Sequence, residues 1–178
     1  MQLASEMGRL YDIEKLTFFR VCECCEALEA AGKLDADALI FVNSIASVSL
    51  SDEDWASYCE AHSAILPKLV VEITEEEEMN ERELERKRNV PGGTGVFALD
   101  DYGSGYSNGN SLLTIAPKYV KVDIAIIRGI DTDADKQQFL MTIIDYAHPR
   151  GVQVLAEGVE TLSELRKVLE MGVDLLQG

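Results

Sequence analysis

Val96-Phe97-Ala98-Leu99-Asp100-Asp101-Tyr102-Gly103-Ser104-Gly105 is a short apolar run that stops at two adjacent carboxylates and a glycine-rich turn. Four apolar residues with no helical period suit a buried strand. Such a strand has no structural need to end in Asp-Asp, so the pair is a candidate for chemistry. Five more runs read the same way. Leu39-Ile40-Phe41-Val42 ends at Asn43, Leu69-Val70-Val71-Glu72-Ile73 carries Glu72, and Tyr119-Val120-Lys121-Val122 carries Lys121. Gln153-Val154-Leu155-Ala156 ends at Glu157, and Asp174-Leu175-Leu176 at Gln177.

Helices fill the gaps. Residues 13–31 place Ile13, Leu16, Phe18, Phe19, Val21, Ala27 and Leu28 near helical spacing, with Gly32 as a stop. Ser51 and the acids after it open a helix through Ser63. Residues 75–88 form a charged helix whose Glu78/Arg82 and Glu83/Lys87 pairs have the supportive spacing of four, and Pro91-Gly92-Gly93 ends it. Two further helices span 133–147 and 161–171. The alternation predicts successive βα units and a parallel sheet. A doubly wound sheet gathers its functional groups at one switch point, whereas every strand end of a (β/α)₈ barrel faces one site. Six polar strand ends therefore favour an α/β, TIM-barrel-like (β/α)₈ fold. With about six βα units present, against the roughly 250 residues a full barrel takes, the barrel is incomplete.

The 178 residues are 47% apolar, enough for one globular domain over 1–178. Acids outnumber bases 32 to 16, giving a net charge of −16, which excludes a surface built to neutralise duplex nucleic acid or anionic lipid. No apolar run reaches the roughly 20 residues a membrane span needs, and residues 1–6 lack the features of a signal peptide. No membrane insertion and a cytoplasmic location are expected, including the cytoplasmic portion of a larger signalling protein. Cys22, Cys24, Cys25 and Cys59 match no common zinc spacing, and His62 and His148 stand alone, so the thiols read as buried or half-buried structural residues.

Four carboxylates and an amide oxygen converging on one point would repel one another without cations. Oxygen-only ligands suit Mg²⁺ or Mn²⁺ better than Zn²⁺. One aspartate of the pair can bridge two ions while the other binds the second, and two ions about 3.5–4 Å apart are usual equipment for phosphodiester hydrolysis. Lys121, the one cation of this set, suits a nucleophilic water or a phosphate oxygen. Any single strand-end acid is more commonly a helix cap or rim residue, and Asp-Asp-x-Gly-x-Gly can be only a turn. Agreement among six strands favours chemistry.

Five ordered segments resemble the signatures of the EAL domain family: Val70-Val71-Glu72-Ile73-Thr74-Glu75, Ala98 to Ser107 through the Asp pair, Val120-Lys121-Val122-Asp123, Ala156-Glu157-Gly158-Val159-Glu160-Thr161 and Gly172 to Gly178. These are bacterial phosphodiesterases that open cyclic di-GMP to linear pGpG with Mg²⁺ or Mn²⁺. The resemblance implies metal ligation by Asn43, Glu72, Asp100 and Asp101, and catalytic roles for Lys121, Glu157 and Gln177. It implies a loop-steadying role for Glu75, substrate binding by Asp123, Gly158 and Glu160, and a homodimer. The glutamate that names the family is absent, since no Glu-x-Leu-x-Arg precedes Ile13, and Asn108-Gly109-Asn110 replaces a stretch that usually holds an apolar residue. Little or no turnover is therefore expected of this chain alone. The alternatives are a non-catalytic cyclic di-GMP receptor or interaction module, and a barrel hydrolase acting on another phosphoester.

Overall fold

A computed structural model describes residues 2–74, 80–104 and 110–178. They fall into two compact units, the first reaching residue 73 and taking in 80–96, the second holding residue 74 and those from 97 onward. Every strand pairing described within the units is parallel, as the βα alternation requires.

The first unit runs through α1 (Gln2–Glu6), α2 (Leu10–Ala30), β1 (Ile40–Asn43), α3 (Asp52–Ala61), β2 (Leu69–Thr74) and α4 (Glu81–Arg88). Its core joins Phe18, Cys22 and Cys25 of α2 to Val42, Trp55, Tyr58 and Leu69. The Phe18 ring meets Trp55 and Tyr58 edge-on, with centroids 5.4 and 5.7 Å away. The Ser51 hydroxyl accepts the Asp54 N–H at 3.1 Å and caps α3 as its sequence predicts.

Two expectations are corrected here. The buried face of α2 is Glu14, Phe18, Cys22 and Cys25, while Leu16 and Leu28 stand 61% and 43% exposed. An acid turns inward because a buried cation, Lys87, waits for it. Lys87 consequently does not pair along its helix with Glu83, whose carboxylate lies 4.0 Å from Arg86 instead. Glu78 lies outside the described residues. All four cysteines are free, and the reading of them as buried or half-buried holds except at exposed Cys24.

The second unit comprises β3 (Phe97–Tyr102), α5 (Asn110–Ile115), β4 (Tyr119–Val122), α6 (Ile124–Ile127), α7 (Ala134–Ala147), β5 (Gln153–Glu157), α8 (Leu162–Met171) and β6 (Leu175–Gln177). Each strand pairs with the next, and α6 and α7 lie against β5. Asp133 caps α7 by accepting the Asp135 and Lys136 N–H groups. Thr161 and Glu164 form a capping box at α8.

Glu164 also reaches beyond its helix. Its carboxylate accepts the Gly129 N–H at 2.8 Å, the largest of the effects that lower its pKa to about 2, and the Thr161 and Glu160 N–H groups add to it. A carboxyl held below its ordinary value near 4.3 stabilises the fold fully above that value and loses the contribution as pH falls towards 2. The stability gap between wild type and Glu164→Gln, read as the shift in denaturation midpoint, should therefore be widest at neutral pH and close between about pH 4.5 and 2. A gap independent of pH would show that Glu164 acts through shape alone.

Candidate metal centre

The Asp pair owes its arrangement to a fault in the ladder. Leu99 pairs with Val120 and Tyr102 with Val122, so Asp100 and Asp101 together stand opposite the single residue Lys121. This is a β-bulge, which inserts one residue and re-aims side chains. Asp101 has φ 55°, a left-handed conformation that aspartate tolerates better than most residues. Successive residues of a regular strand point to opposite faces. Here the bulge lets both carboxylates join that of Glu157, with ligand oxygens of the three within 4.8 Å of one another.

Lys121 is buried on β4 between them. Its ammonium lies 2.7 Å from Asp100 and 2.9 Å from Glu157, and the three side chains are each less than 15% exposed. Burial pushes the Glu157 carboxyl above its ordinary pKa. The Lys121 hydrogen bond and charge oppose that rise, while the charges of Asp100 and Asp101 add to it. Three carboxylates beside one ammonium leave the cluster anionic, which favours uptake of a cation.

The donor set fits a hard divalent ion. Every gathered ligand atom is a carboxylate oxygen. Oxygens on opposite sides of one Mg²⁺ lie about 4 Å apart, so a set already within 4.8 Å needs little movement. In the first unit, Asn43 at the end of β1 is the register partner of Glu72, two residues short of the end of β2, Asn43 exposed and Glu72 buried.

The remaining predicted residues are placed as follows. Gln177 is exposed on β6 and pairs in register with Glu157. Asp123 caps α6 by accepting the Ala125 N–H at 2.6 Å. Glu160 makes a half-exposed ion pair with Arg128 at 2.8 Å. Gly158 has φ 65°, and a Cβ there would fall 2.4 Å from the Ile124 side chain, so the turn after β5 demands glycine. Glu75 lies outside the described residues, as do Gly105, Tyr106 and Ser107. The sequence reading missed the buried Glu14–Lys87 pair. Its one trace is an acid on α2 four residues before Phe18 and eight before Cys22, in register with a buried stripe.

Comparison with known proteins covers the whole chain: residues 1–178 match the EAL domain family. The probable cyclic di-GMP phosphodiesterase PdeG of Escherichia coli (strain K12) is 27% identical over 99% of this chain and 35% of its own length. The chain thus spans about a third of that relative. Among solved structures, the PaMucR phosphodiesterase in complex with c-di-GMP superposes with a TM-score of 0.80 at 24% identity, covering 99% of this chain and 73% of the other. The Klebsiella pneumoniae BlrP1 manganese/cy-diGMP complex gives 0.79 at 24% identity, over 94% and 44%. The likeness shows the fold expected from the strand ends, a TIM-barrel-like α/β fold, of which the described residues supply six parallel strands with helices between them.

Proposed function

Because this chain belongs to the EAL domain family, we propose that it carries the site of a cyclic di-GMP phosphodiesterase that opens the cyclic dinucleotide to linear pGpG. The observation that carries this reading is the bulge at Asp100-Asp101, which gathers both carboxylates with Glu157 around buried Lys121. The likeness to PdeG and to the two solved cyclic di-GMP complexes supports the substrate, and the manganese complex supports the metal.

Asp100, Asp101 and Glu157 would hold Mg²⁺ or Mn²⁺, and on the family pattern Asn43 and Glu72 are metal ligands too. When bound, the ions neutralise phosphate charge and make water a better nucleophile. Lys121 donates hydrogen bonds that orient the attacking water or a phosphate oxygen. Water attacks phosphorus in line, the bond from phosphorus to the 3′ oxygen breaks, and the proton that the attacking water gives up passes through solvent to the leaving 3′ oxygen. Gln177 assists at the edge of the sheet, and Asp123, Gly158 and Glu160 lie along the substrate. A loop after the Asp pair steadied by Glu75, a homodimer and a cytoplasmic location complete the proposal. No helix among the described residues is long and apolar enough to cross a membrane.

Chromatography of the chain incubated with Mn²⁺ and cyclic di-GMP tests the reading, alongside a form with an upstream strand bearing Glu-x-Leu-x-Arg fused before Met1. The extended form should yield pGpG only with metal, and the 178-residue chain far less. An extended, metal-loaded protein that binds cyclic di-GMP and leaves it intact would be a receptor, and the proposal would fall.

A further inference from the structure

The segment after β1 is gripped by a buried ion pair that the proposed chemistry does not use. Lys87 of α4 and Glu14 of α2 have side chains 0% and 1% exposed. The Lys87 ammonium donates to acceptors that include Glu14 Oε1 at 2.6 Å, Ser44 Oγ at 2.5 Å and the Ile45 carbonyl at 2.6 Å. The Ser44 hydroxyl donates to Glu14 Oε1 at 2.6 Å, and the Ile45 N–H to Glu14 Oε2 at 2.8 Å. Both charges are fully satisfied.

Stability alone does not account for such a network, because well-packed apolar residues often serve as well as a buried ion pair or better. What the network supplies is a fixed position for Ser44 and Ile45, the two residues that follow Asn43. The Ser44 N–H donates to the Glu72 carbonyl at 2.9 Å, beside the register pair Asn43 and Glu72. The clamp thus acts at the ends of both strands that carry proposed ligands. Metal sites tolerate only about 0.5 Å of misplacement in their ligands.

We propose that Glu14 and Lys87 are positioning residues: through Ser44 and Ile45 they lock the ends of β1 and β2 so that Asn43 and Glu72 present oxygens to a divalent cation. The assignment rests on the metal-binding reading above. Neither residue touches the metal, and each acts through the backbone it holds.

The test uses the 178-residue chain with Mn²⁺ alone as probe. Three variants are compared with wild type: Glu14→Gln/Lys87→Met, which removes both charges at similar volume; Ser44→Ala, which removes one hydroxyl; and Asn43→Ala, which removes a proposed ligand. Free Mn²⁺ is read by electron paramagnetic resonance, amide exchange by NMR, and folding by thermal melting. The expected result for the double variant is a cooperative melt, Ser44 and Ile45 amides that exchange at least about 10-fold faster, and Mn²⁺ affinity down about 10- to 100-fold, the usual effect of losing a residue that orients a ligand. Ser44→Ala should weaken Mn²⁺ in the same direction, and it decides the matter alone if the double variant does not fold. Wild-type affinity in the folded double variant, or in Ser44→Ala, together with a loss in Asn43→Ala, overturns the clamp and leaves the metal reading intact. A wild-type chain that takes up no Mn²⁺, or an Asn43→Ala chain that binds it equally well, defeats the metal reading and the clamp with it.

Discussion

Lys87→Met alone should lower the unfolding free energy by about 3–5 kcal/mol, the usual cost of removing one partner from a buried ion pair. The Glu14 carboxylate then stays buried with only the Ser44 hydroxyl and the Ile45 N–H to satisfy it. Glu14→Gln/Lys87→Met should recover most of that loss because it leaves no uncompensated charge, although the neutral amide keeps only one acceptor oxygen where the carboxylate offered two, to the Ser44 hydroxyl and the Ile45 N–H. Methionine meanwhile fills the channel occupied by the lysine stem. Urea denaturation checks both numbers, provided the slope with denaturant is unchanged so that midpoints report stability. The pair's own worth is the non-additive part of the cycle. A Lys87→Met variant that loses less than about 1 kcal/mol would mean that the abandoned Glu14 carboxylate finds water, contrary to its burial. Equal losses in single and double variants would mean that the pair itself, and not the avoidance of a lone charge, holds α2 to α4.

The strands were legible because buried parallel strands read as short apolar runs set apart by helix-length gaps. Predicted and observed starts differ by at most one residue at all six. Their polar endings were legible for the same reason: Asn43, Glu72, Lys121 and Glu157 interrupt or end runs that are otherwise mostly apolar. The bulge was not. A regular strand would send Asp100 and Asp101 to opposite faces, and what brings both to one site is two residues standing against one in the ladder, an offset set by the partner strand. Nor could α4 announce Lys87. Glu81-Arg82-Glu83-Leu84-Glu85-Arg86-Lys87-Arg88 is charged at seven of eight positions, so no period distinguishes the buried lysine from the solvated ones. The inverted face of α2 follows from that omission, since Glu14 turns inward only because Lys87 is there. At six and four residues, α5 and α6 are too short to show a period, though Asp123 marks the start of α6 as a cap.

Lys121→Met should separate metal uptake from turnover. In the wild type its ammonium sits between Asp100 and Glu157, competing with an incoming cation for the same oxygens. Methionine removes that competitor, so Mn²⁺ should bind at least as tightly as before, while turnover in the extended form should fall about 100- to 1,000-fold, the usual loss when one aligned donor leaves a reacting centre. A lysine that merely braced the ligands would lose both together. The sign of the pH dependence gives an independent check. Burial already raises the Glu157 pKa, with Lys121 opposing it. A carboxyl whose folded value is raised holds its proton more tightly in the fold, so the metal-free protein is favoured at low pH and loses that advantage as pH climbs from the ordinary value near 4.3 through the raised one. Without Lys121 the raised value climbs further and the loss extends to higher pH. The melting temperature of metal-free Lys121→Met should therefore fall more steeply than that of wild type as pH climbs above the ordinary carboxyl value near 4.3, and saturating Mn²⁺ should flatten the difference, because the ion replaces the missing positive charge. Parallel melting curves with weakened Mn²⁺ binding would assign Lys121 to holding Asp100 and Glu157 in place, and its part in the reaction would have to be given up.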